Sequence, residues 1–306
     1  MQEQLMFNKV HLEDVYHGYN SHFILDNLDL SIGRGELVTL LGPSGAGKST
    51  LFRLIIGQEF VSGSGHVLID GNNVGYPNSK RGIVYQKYSL LPHKTVLENV
   101  IASKVWATPL WKIAFHRNWW KNELKKHTDE AMELLDRVRL ADSASKKPSE
   151  LSGGMQQRVA IVQALMAKHD ITLMDEPFGA LDQNTRRDLQ LYLLELWEEY
   201  EMTILFVTHD IHEAGFLGSR LVVLSQHYSD DRGNDFKRGA KIVYDMSFEQ
   251  YLSKRKEMEF NTYVEMIKTL LDEADKAGLD PDYLQHVDEF KLVGKNAYHT
   301  LTEAET

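Results

Sequence analysis

The stretch ELVTLLGPSGAGKSTLFRLIIG, residues 36–57, decides the fold class of this chain. It begins with a short apolar run that ends at a glycine, continues through a glycine-rich turn, and finishes with apolar residues at helical spacing. The turn, residues 42–50, matches the pattern G-x-x-x-x-G-K-[ST] in the strand–loop–helix context that this pattern requires. The sequence therefore predicts a phosphate-binding loop between a buried strand and a helix.

The chemistry of this loop follows from its residue types. Glycines let the backbone curl around an anion, successive N–H groups point at the phosphates, and the helix N-terminus adds partial positive charge. Lys48 would reach the terminal phosphates, and the Ser49 hydroxyl would hold Mg²⁺. A chance glycine-rich turn is the alternative. The predicted nucleotide-binding residues are Gly42, Pro43, Ser44, Gly45, Ala46, Gly47, Lys48, Ser49 and Thr50.

Strand-like and helix-like segments alternate along the rest of the chain. The runs ITLMDE, TILFVTH and RLVVLS are short, β-branched and nearly all apolar, which is typical of strands buried on both faces. The segments QQRVAIVQALMAKH and TRRDLQLYLLELWEEY carry apolar residues at helical spacing. We therefore predict an α/β fold with a mostly parallel central sheet.

The composition limits the classes of function to consider. With 306 residues, 42% hydrophobic and 25% charged, the chain can bury a full core and has ordinary globular composition. A net charge of −10 disfavours nonspecific nucleic-acid binding, so no nucleic-acid partner is expected. The absence of cysteine excludes disulfides and thiolate metal sites. No signal-peptide pattern or membrane-spanning apolar run is recognisable, which predicts a cytoplasmic protein.

Two adjacent carboxylates stand at the end of the predicted strand ITLMDE. Because neighbouring residues on a strand point to opposite sides, Asp175 could hold Mg²⁺ through water while Glu176 faces an attacking water as general base. A solvated turn is the alternative interpretation of such a pair. Together with the phosphate loop, the two acids indicate a nucleotide hydrolase.

A second glycine-rich site, LSGGMQQR at residues 151–158, precedes another predicted helix. Ser152 could cap this helix, and Gly153 and Gly154 would leave its first N–H groups accessible to an anion. One triphosphate cannot easily fill two separate phosphate sites on one chain. The nucleotide bound at the phosphate loop therefore does not account for the second anion site.

Taken with the preceding motifs, LSGGM resembles the signature of the ATP-binding cassette (ABC) superfamily, whose motifs occur here in order over roughly residues 5 to 245. The resemblance implies a P-loop NTPase fold of the ABC-ATPase type, with an N-terminal antiparallel β subdomain and a helical subdomain. It also implies ATP and Mg²⁺ as cofactors and an ATP-dependent homodimer. In that dimer, ATP lies between the phosphate loop of one subunit and Ser152, Gly153 and Gly154 of the other.

The remaining superfamily motifs are also matched residue by residue. Gln86 matches the glutamine loop that senses Mg²⁺ and contacts membrane subunits, and Asp182 matches the loop that crosses the dimer interface. His209 matches the switch histidine, and Tyr19 matches the aromatic that stacks on adenine, with Tyr16 as the alternative. The resemblance thus implies the catalytic residues Glu176, His209 and Gln86 and the metal ligands Ser49, Gln86 and Asp175.

The signature carries Met155 where glutamine is usual. With DEPFGALD and LPHKTVLENV, this makes the sequence similar to the ATPase subunits of nitrate, sulfonate, taurine and bicarbonate importers. The similarity implies integral membrane permease subunits, a periplasmic or extracellular substrate-binding protein, and a peripheral position on the inner face of the cell membrane. An exporter or lipid-trafficking ATPase is the alternative. A DNA-repair or ribosome-associated ATPase would need long coiled coils or two cassettes, which this chain lacks.

One region that departs from the usual length of that subfamily is WATPLWKIAFHRNWW, residues 106–120. Its residues Trp111, Phe115 and Trp119 have the spacing of one face of a single helix. Such a stripe predicts packing inside the helical subdomain, which we place at about residues 100–160. A docking surface for the permease is the alternative, because tryptophan is frequent among interface anchors.

A second such segment begins at about residue 246. It carries an excess of acidic residues and includes an amphipathic stretch, MEFNTYVEMIKTLLDEADKAG, that is typical of a helix. We predict a mostly helical C-terminal extension at residues 246–306, after an ABC ATPase domain at residues 1–245.

Overall fold

The computed structural model describes residues 8–20, 22–85, 90–179, 181–226 and 239–248. The chain divides into two compact units. The first comprises Met1–Pro77 and Thr203–Thr306, and the second comprises Asn78–Met202. The predicted C-terminal extension lies outside the described residues from residue 249 onwards, and the domain limits remain predictions.

The described residues form ten β-strands and seven α-helices. The strands are β1 Asn8–Tyr19, β2 His22–Gly33, β3 Leu37–Leu41, β4 His66–Ile69, β5 Asn72–Asn73, β6 Arg81–Val84, β7 Ile171–Asp175, β8 Thr203–Val207, β9 Arg220–Ser225 and β10 Lys241–Ser247. The helices are α1 Lys48–Ile56, α2 Val96–Ala107, α3 Leu110–Phe115, α4 Arg117–Arg137, α5 Gly153–Ala167, α6 Gln183–Tyr200 and α7 Ile211–Leu217.

The first unit contains an antiparallel sheet in the order β2-β1-β4-β5. Strands β1 and β2 pair along most of their length, with Val10 opposite Ile32 and Leu12 opposite Leu30. These four side chains are buried, so one face of the hairpin supplies part of the core. This sheet is the antiparallel β subdomain that the resemblance implied.

The first unit also contains a mostly parallel group of strands in the order β10-β9-β3-β8. Strand β3 is parallel to both β8 and β9, and β10 closes the edge in the antiparallel direction. Every residue of β3 and β8 is buried, which agrees with the prediction that these apolar runs are covered on both faces. The predicted α/β fold is therefore confirmed.

A partly buried arginine ties the strands of the first unit together. Arg220, at the start of β9, binds Asp245 of β10 with its Nε at 2.6 Å from Oδ1. Its Nη1 also donates to the carbonyl oxygen of Ser31 in β2, at 2.8 Å. One charged side chain thus links the parallel strands to the antiparallel sheet, and removing it would leave the partly buried Asp245 carboxylate without its cation.

The second unit combines the parallel pair β6 and β7 with a group of helices. Helix α2 begins in a capping box, in which the Thr95 hydroxyl accepts from the Glu98 N–H and the Glu98 carboxylate accepts from the Thr95 N–H. Helix α2 packs on α5 and α4 through buried residues that include Val96 and Val100. None of the helices in the described part of the chain is long and apolar enough to cross a membrane.

The prediction for the aromatic segment is wrong in two respects. The chain leaves the helical conformation at His116, so Trp119 belongs to α4 while Trp111 and Phe115 belong to the six-residue α3. The three side chains are also exposed, at 61% for Trp111, 81% for Phe115 and 37% for Trp119. A helix as short as α3 has little surface to bury, and the break at His116 interrupts the expected face. Packing in the core does not explain these residues.

Candidate functional site

The glycine-rich loop runs from the end of β3 to the start of α1. Gly42 has a φ of 155° and Gly47 a φ of 82°, which are conformations that favour glycine. A Cβ on Gly42 would lie 2.3 Å from the carbonyl oxygen of Leu224, and a Cβ on Gly47 would lie 2.9 Å from Cδ2 of Leu25. The loop thus passes too close to its neighbours to accept a larger residue at either position.

The first turn of α1 is built to bind an anion. Gly47 occupies the cap position and has no side chain to cover the first N–H groups of the helix. The Lys48 ammonium donates to the carbonyl oxygens of Gly42, at 2.5 Å, and Pro43, at 3.0 Å, so it arches over the same loop. The residues present therefore fit a phosphate group, with backbone N–H groups and one cation on a short arc.

His209 leaves the sheet next to this loop. Strands β3 and β8 are parallel, and the Thr208 N–H donates to the carbonyl oxygen of Leu40 at 3.3 Å. Since parallel strands have their carboxyl ends at the same edge, the phosphate loop and His209 emerge side by side. The side chain of His209 is exposed.

The residues around His209 are fixed by hydrogen bonds. The Thr208 hydroxyl lies 2.5 Å from a carboxylate oxygen of Glu213 and accepts from the Asp210 N–H at 3.0 Å. The Asp210 carboxylate caps α7 by accepting from the N–H groups of His212 and Glu213. The backbone on both sides of His209 is therefore constrained, so its position beside the phosphate loop is defined.

Tyr19 is connected to the helix that follows the phosphate loop. Its hydroxyl donates to the Glu59 carboxylate and accepts from Arg53 Nη2 at 3.1 Å. The same Nη2 donates to the Thr50 hydroxyl at 3.0 Å. The chain of contacts runs from Tyr19 through Arg53 to the last residue of the loop motif, and the tyrosine ring remains 42% exposed.

His17 supports this arrangement from the buried side. The Ser62 N–H donates to Nδ1 of His17, and Nε2 lies 3.4 Å from a carboxylate oxygen of Glu59. Burial lowers the pKa of His17, although Glu59 opposes the effect. The imidazole is therefore neutral at pH 7, with its proton on Nε2, and its ring packs edge-on against Tyr19 at 5.2 Å between centroids.

Tyr16, the alternative to Tyr19, lies in a different environment. Its ring contacts Phe23 edge-on at 6.4 Å, and its backbone pairs with Gly63 and Ser64. It also lines a shallow depression of about 540 Å³. The contacts that connect Tyr19 to Thr50 through Arg53 thus start from a different part of the hairpin than the Tyr16–Phe23 pair.

The two adjacent acids stand at the end of β7 in the second unit. Asp175 is the last residue of the strand, and Glu176 follows it with a φ of 48°, in the left-handed region. The expectation that both acids alternate along a strand is therefore wrong, because the backbone turns at Glu176. A non-glycine residue in this conformation is strained, and such strain is concentrated at functional sites.

Helix α5, which begins in the signature sequence, contacts the backbone at the acid pair. Gln157 of α5 is buried, and its Nε2 lies 3.5 Å from the carbonyl oxygen of Glu176. The Gly179 N–H donates to the same carbonyl oxygen at 3.2 Å. These two donors hold the backbone after β7, which helps to explain how the strained conformation at Glu176 is maintained.

The structure confirms that Ser152 caps α5. Its hydroxyl accepts from the Met155 N–H at 3.3 Å, and Gly153 and Gly154 are the first residues of the helix. Ser152 and Gly153 are exposed, so the first turn is accessible. The Gln156 side chain donates to the carbonyl oxygens of Pro148 and Leu151, at 3.0 and 3.2 Å, and fixes the preceding turn.

Asp182 caps α6, where its carboxylate accepts from the Thr185 N–H at 3.1 Å. This hydrogen bond lowers the pKa of Asp182, so the side chain is charged at neutral pH. It is exposed at the surface of the second unit.

Gln86 lies outside the described residues. The first unit thus assembles Tyr19, the phosphate loop and His209, and the second unit carries the acid pair, the signature and Asp182.

Residues 25–179 match the family of ABC transporters. The chain belongs to this family. Among its curated ABC relatives, the aliphatic sulfonates import ATP-binding protein SsuB of Bacillus subtilis is 42% identical over 201 residues, which are 66% of this chain and 72% of the relative. The nitrate import ATP-binding protein NrtD of Synechococcus elongatus is 40% identical over 201 residues, 66% and 69% of the two chains.

Solved ABC structures agree with this assignment. The dimeric structure of MJ0796, a bacterial ABC transporter cassette, superposes with a TM-score of 0.64 and 30% identity, covering 78% of this chain and 98% of that one. A post-hydrolysis dimer of the same cassette, bound to ADP and Pi, gives a TM-score of 0.62 over the same shares. The predicted ABC-ATPase fold is confirmed, and the chain is an ATP-hydrolysing subunit of an ABC transporter.

The sequence alone did not identify the residues whose side chains contact the predicted site residues and fix their positions. Arg53 and Glu59 contact Tyr19 from more than 30 positions away, and charged residues at the end of a helix are usually solvated. Gln157 lies inside the quoted signature, but nothing in a single sequence distinguishes its buried amide from that of Gln156. The sequence contains one indication that Arg53 has a structural role, namely its position as a charged residue in the last turn of α1.

Proposed function

We propose that this ABC subunit drives the import of a small anion such as nitrate, a sulfonate, taurine or bicarbonate. The observation that carries the proposal is the shared identity of about 40% with two import proteins and one transport protein. Besides the two already described, the bicarbonate transport ATP-binding protein CmpD of Synechocystis is 41% identical over 203 residues, 66% of this chain and 67% of the relative. The import names of SsuB and NrtD favour uptake over export or lipid trafficking.

The partners follow from this role. Two copies of the chain would form a homodimer on ATP, and the cassette MJ0796, which has the same fold, is dimeric in its solved structure. An integral membrane permease and a periplasmic or extracellular substrate-binding protein would complete the system. The ATPase would then work at the cytoplasmic face of the membrane.

ATP would lie between two copies of the chain. The N–H groups of residues 42–50 and the Lys48 ammonium would bind the phosphates, and Tyr19 would stack on adenine. Gly153 and Gly154 of the second copy would face the terminal phosphate from their exposed helix turn. Asp182, charged and exposed, would contribute at the interface between the copies.

Mg²⁺ fits the chemistry of the residues in the motifs. The Ser49 hydroxyl, the Asp175 carboxylate and the Gln86 amide are oxygen donors, the class that Mg²⁺ prefers, and would hold it. When bound, the ion would neutralise charge on the phosphates. Hydrolysis would begin when the Glu176 carboxylate takes a proton from water, whose oxygen then bonds to the terminal phosphorus as the bond to the bridging oxygen breaks, giving ADP and phosphate. His209 would hold the terminal phosphate during this step.

Uptake measurements test the importer assignment. In a strain that lacks the gene, we expect the wild-type chain to restore uptake of one labelled substrate among nitrate, bicarbonate, an alkanesulfonate and taurine. Lys48→Ala should restore none, because it removes the cation that holds the terminal phosphates. The importer assignment fails if the wild-type chain restores none of the four, or if the Lys48→Ala variant restores uptake as well as the wild type.

A titration with ATP tests the position of adenine. Stacking contributes about 1–3 kcal/mol per base in nucleic-acid systems, so Tyr19→Ala should weaken ATP binding roughly tenfold. Tyr16→Ala should have a smaller effect, since Tyr19 is linked through Arg53 to Thr50 of the loop motif, whereas the Tyr16 ring packs on Phe23. Tyr19→Phe serves as the matched control, because it keeps the ring and removes only the contacts to Glu59 and Arg53. A larger loss in Tyr16→Ala than in Tyr19→Ala would move the role to Tyr16.

A further inference from the structure

An aromatic and basic segment at residues 106–121 lies outside the motifs that we assign to nucleotide binding. It holds four of the five tryptophans of the chain, at positions 106, 111, 119 and 120. It also holds Lys112, Arg117 and Lys121 and no acidic residue, although the whole chain has a net charge of −10. The segment therefore differs from the rest of the protein in both charge and aromatic content.

Four of the five Trp and Phe side chains of this segment are exposed. Besides the exposed residues of α3 and α4, Trp106 at the end of α2 is 66% exposed. The Lys112 ammonium lies 4.0 Å from the centroid of the Trp119 ring, and this cation–π contact connects α3 with α4. Three tryptophans and a phenylalanine are thus presented within 14 positions of the chain, which is unusual for a surface in contact with water alone.

The geometry of α3 matches a helix that lies on a surface. Trp111 and Phe115 are four residues apart in α3 and share one face. The backbone is not helical at Pro109, before α3, or at His116, after it. Helix α3 is therefore a short helix between the two longer helices α2 and α4. A six-residue helix of this kind cannot bury two aromatic rings against itself, and both residues are exposed.

We propose that residues 106–121 bind the surface of an anionic membrane. Tryptophan prefers the headgroup layer, where its ring meets the apolar region and its N–H meets water, and Lys and Arg are attracted to anionic lipids. Trp111 and Phe115 would enter the headgroup layer, and Arg117 and Lys121 would contact lipid phosphates.

The charge of residues 106–121 favours a lipid surface over a protein as their binding partner. Lysine is depleted in protein–protein interfaces, whereas this segment places Lys112 and Lys121 among its tryptophans. The segment itself has no acidic residue, and the acid that interacts with Lys112, Glu123, lies beyond it in α4. An anionic lipid surface supplies the complementary charge along the whole length. The inference rests on the proposed function only in that an importer subunit works beside a membrane.

The test uses the full chain without nucleotide and vesicles of phosphatidylcholine, with or without phosphatidylglycerol. We expect wild-type protein to sediment with the anionic vesicles, to be released by salt, and to show quenching of tryptophan fluorescence by brominated phosphatidylcholine included in them. Neutral vesicles should bind far less. Absence of both sedimentation and quenching in the wild-type protein would overturn the proposal without any variant.

Substitutions within residues 106–121 test whether this segment makes the contact with the membrane. Arg117→Gln with Lys121→Gln should weaken vesicle binding roughly tenfold or more, because each cation near an anionic surface contributes separately. Trp111→Ser with Phe115→Ser should remove most of the quenching. The matched controls are Lys146→Gln with Lys147→Gln, two exposed lysines of the same unit, and Tyr76→Ser, an aromatic that is 77% exposed in the other unit. The controls should bind vesicles like the wild type.

The remaining outcomes also decide the question. If the segment variants bind vesicles as well as the controls do, the segment does not contact lipid. If they keep vesicle binding but no longer co-purify with the permease, the surface docks on protein and the proposal is overturned. ATP binding by every variant is measured in parallel. Loss of vesicle binding by the segment variants with normal ATP binding supports the membrane contact, whereas a defect in ATP binding or uptake in the wild-type chain concerns the proposed function alone.

Discussion

Glu176→Gln is expected to bind ATP and to lower the rate of hydrolysis by about 10²–10⁴-fold, the usual contribution of a general base. Glutamine keeps the size of the side chain and has no basic oxygen. The left-handed backbone, with its φ of 48°, should be kept as well, because both side chains have the same unbranched Cβ and the same steric cost in this conformation. The loss of turnover would therefore report the missing basicity rather than a change in the loop after β7.

The measurement is steady-state phosphate release, combined with size-exclusion chromatography in ATP. The variant should accumulate as an ATP-bound dimer, since it binds nucleotide and does not consume it. Glu201→Gln is a matched control, because Glu201 also has a φ of 48°, is exposed, and ends α6 in the same unit. Turnover of Glu176→Gln near the wild-type rate would remove Glu176 from the role of base.

A dimer mixed from two defective chains is expected to regain one working ATP site. One chain carries Lys48→Ala, which removes the ammonium over the phosphate loop. The other carries Gly153→Asp, which places a side chain and a negative charge in the exposed first turn of α5. An acid in the first turn is favourable for the helix itself, so the variant should fold while it repels phosphate.

The mixed dimer separates the two possible arrangements. If each signature serves the ATP of the other chain, both lesions fall in one composite site and the second site is intact. If each signature serves its own chain, every site carries one lesion. All chains should also carry Glu176→Gln, so that the assay counts tightly held ATP instead of cooperative turnover. About one ATP per mixed dimer, with none in either homodimer, is the expected result, and mixed dimers that form but hold no ATP would contradict it.

The fold could be predicted largely from local patterns. The stretch at residues 36–57 identified β3, the loop and α1 in order, since glycine, lysine and apolar spacing act over a few neighbouring residues. The runs that became β7, β8 and β9 were apolar enough to be recognised as buried strands. Ser152 was recognised as a cap for the same reason, because its partner is three residues away.

The features that the sequence did not predict depend on contacts between distant residues or on one backbone angle. The support of Tyr19 by Arg53 and Glu59 spans 34 and 40 positions, and no local pattern encodes it. The turn at Glu176 replaced the alternation expected of a strand, since hydrogen bonds to its carbonyl oxygen fix the backbone there. The aromatic stripe failed as a core prediction because helical spacing indicates a shared face and not what covers that face.

The left-handed backbone at Glu176 has a consequence for adaptation. Glycine or asparagine would occupy this conformation more easily than glutamate, which costs about 1–3 kcal/mol there. A population of variants selected for heat resistance alone would therefore drift towards glycine or asparagine at position 176 and lose the carboxylate. Selection for transport works in the opposite direction. Position 176 is thus a point of trade-off between stability and activity, and attempts to stabilise this ATPase should leave it unchanged.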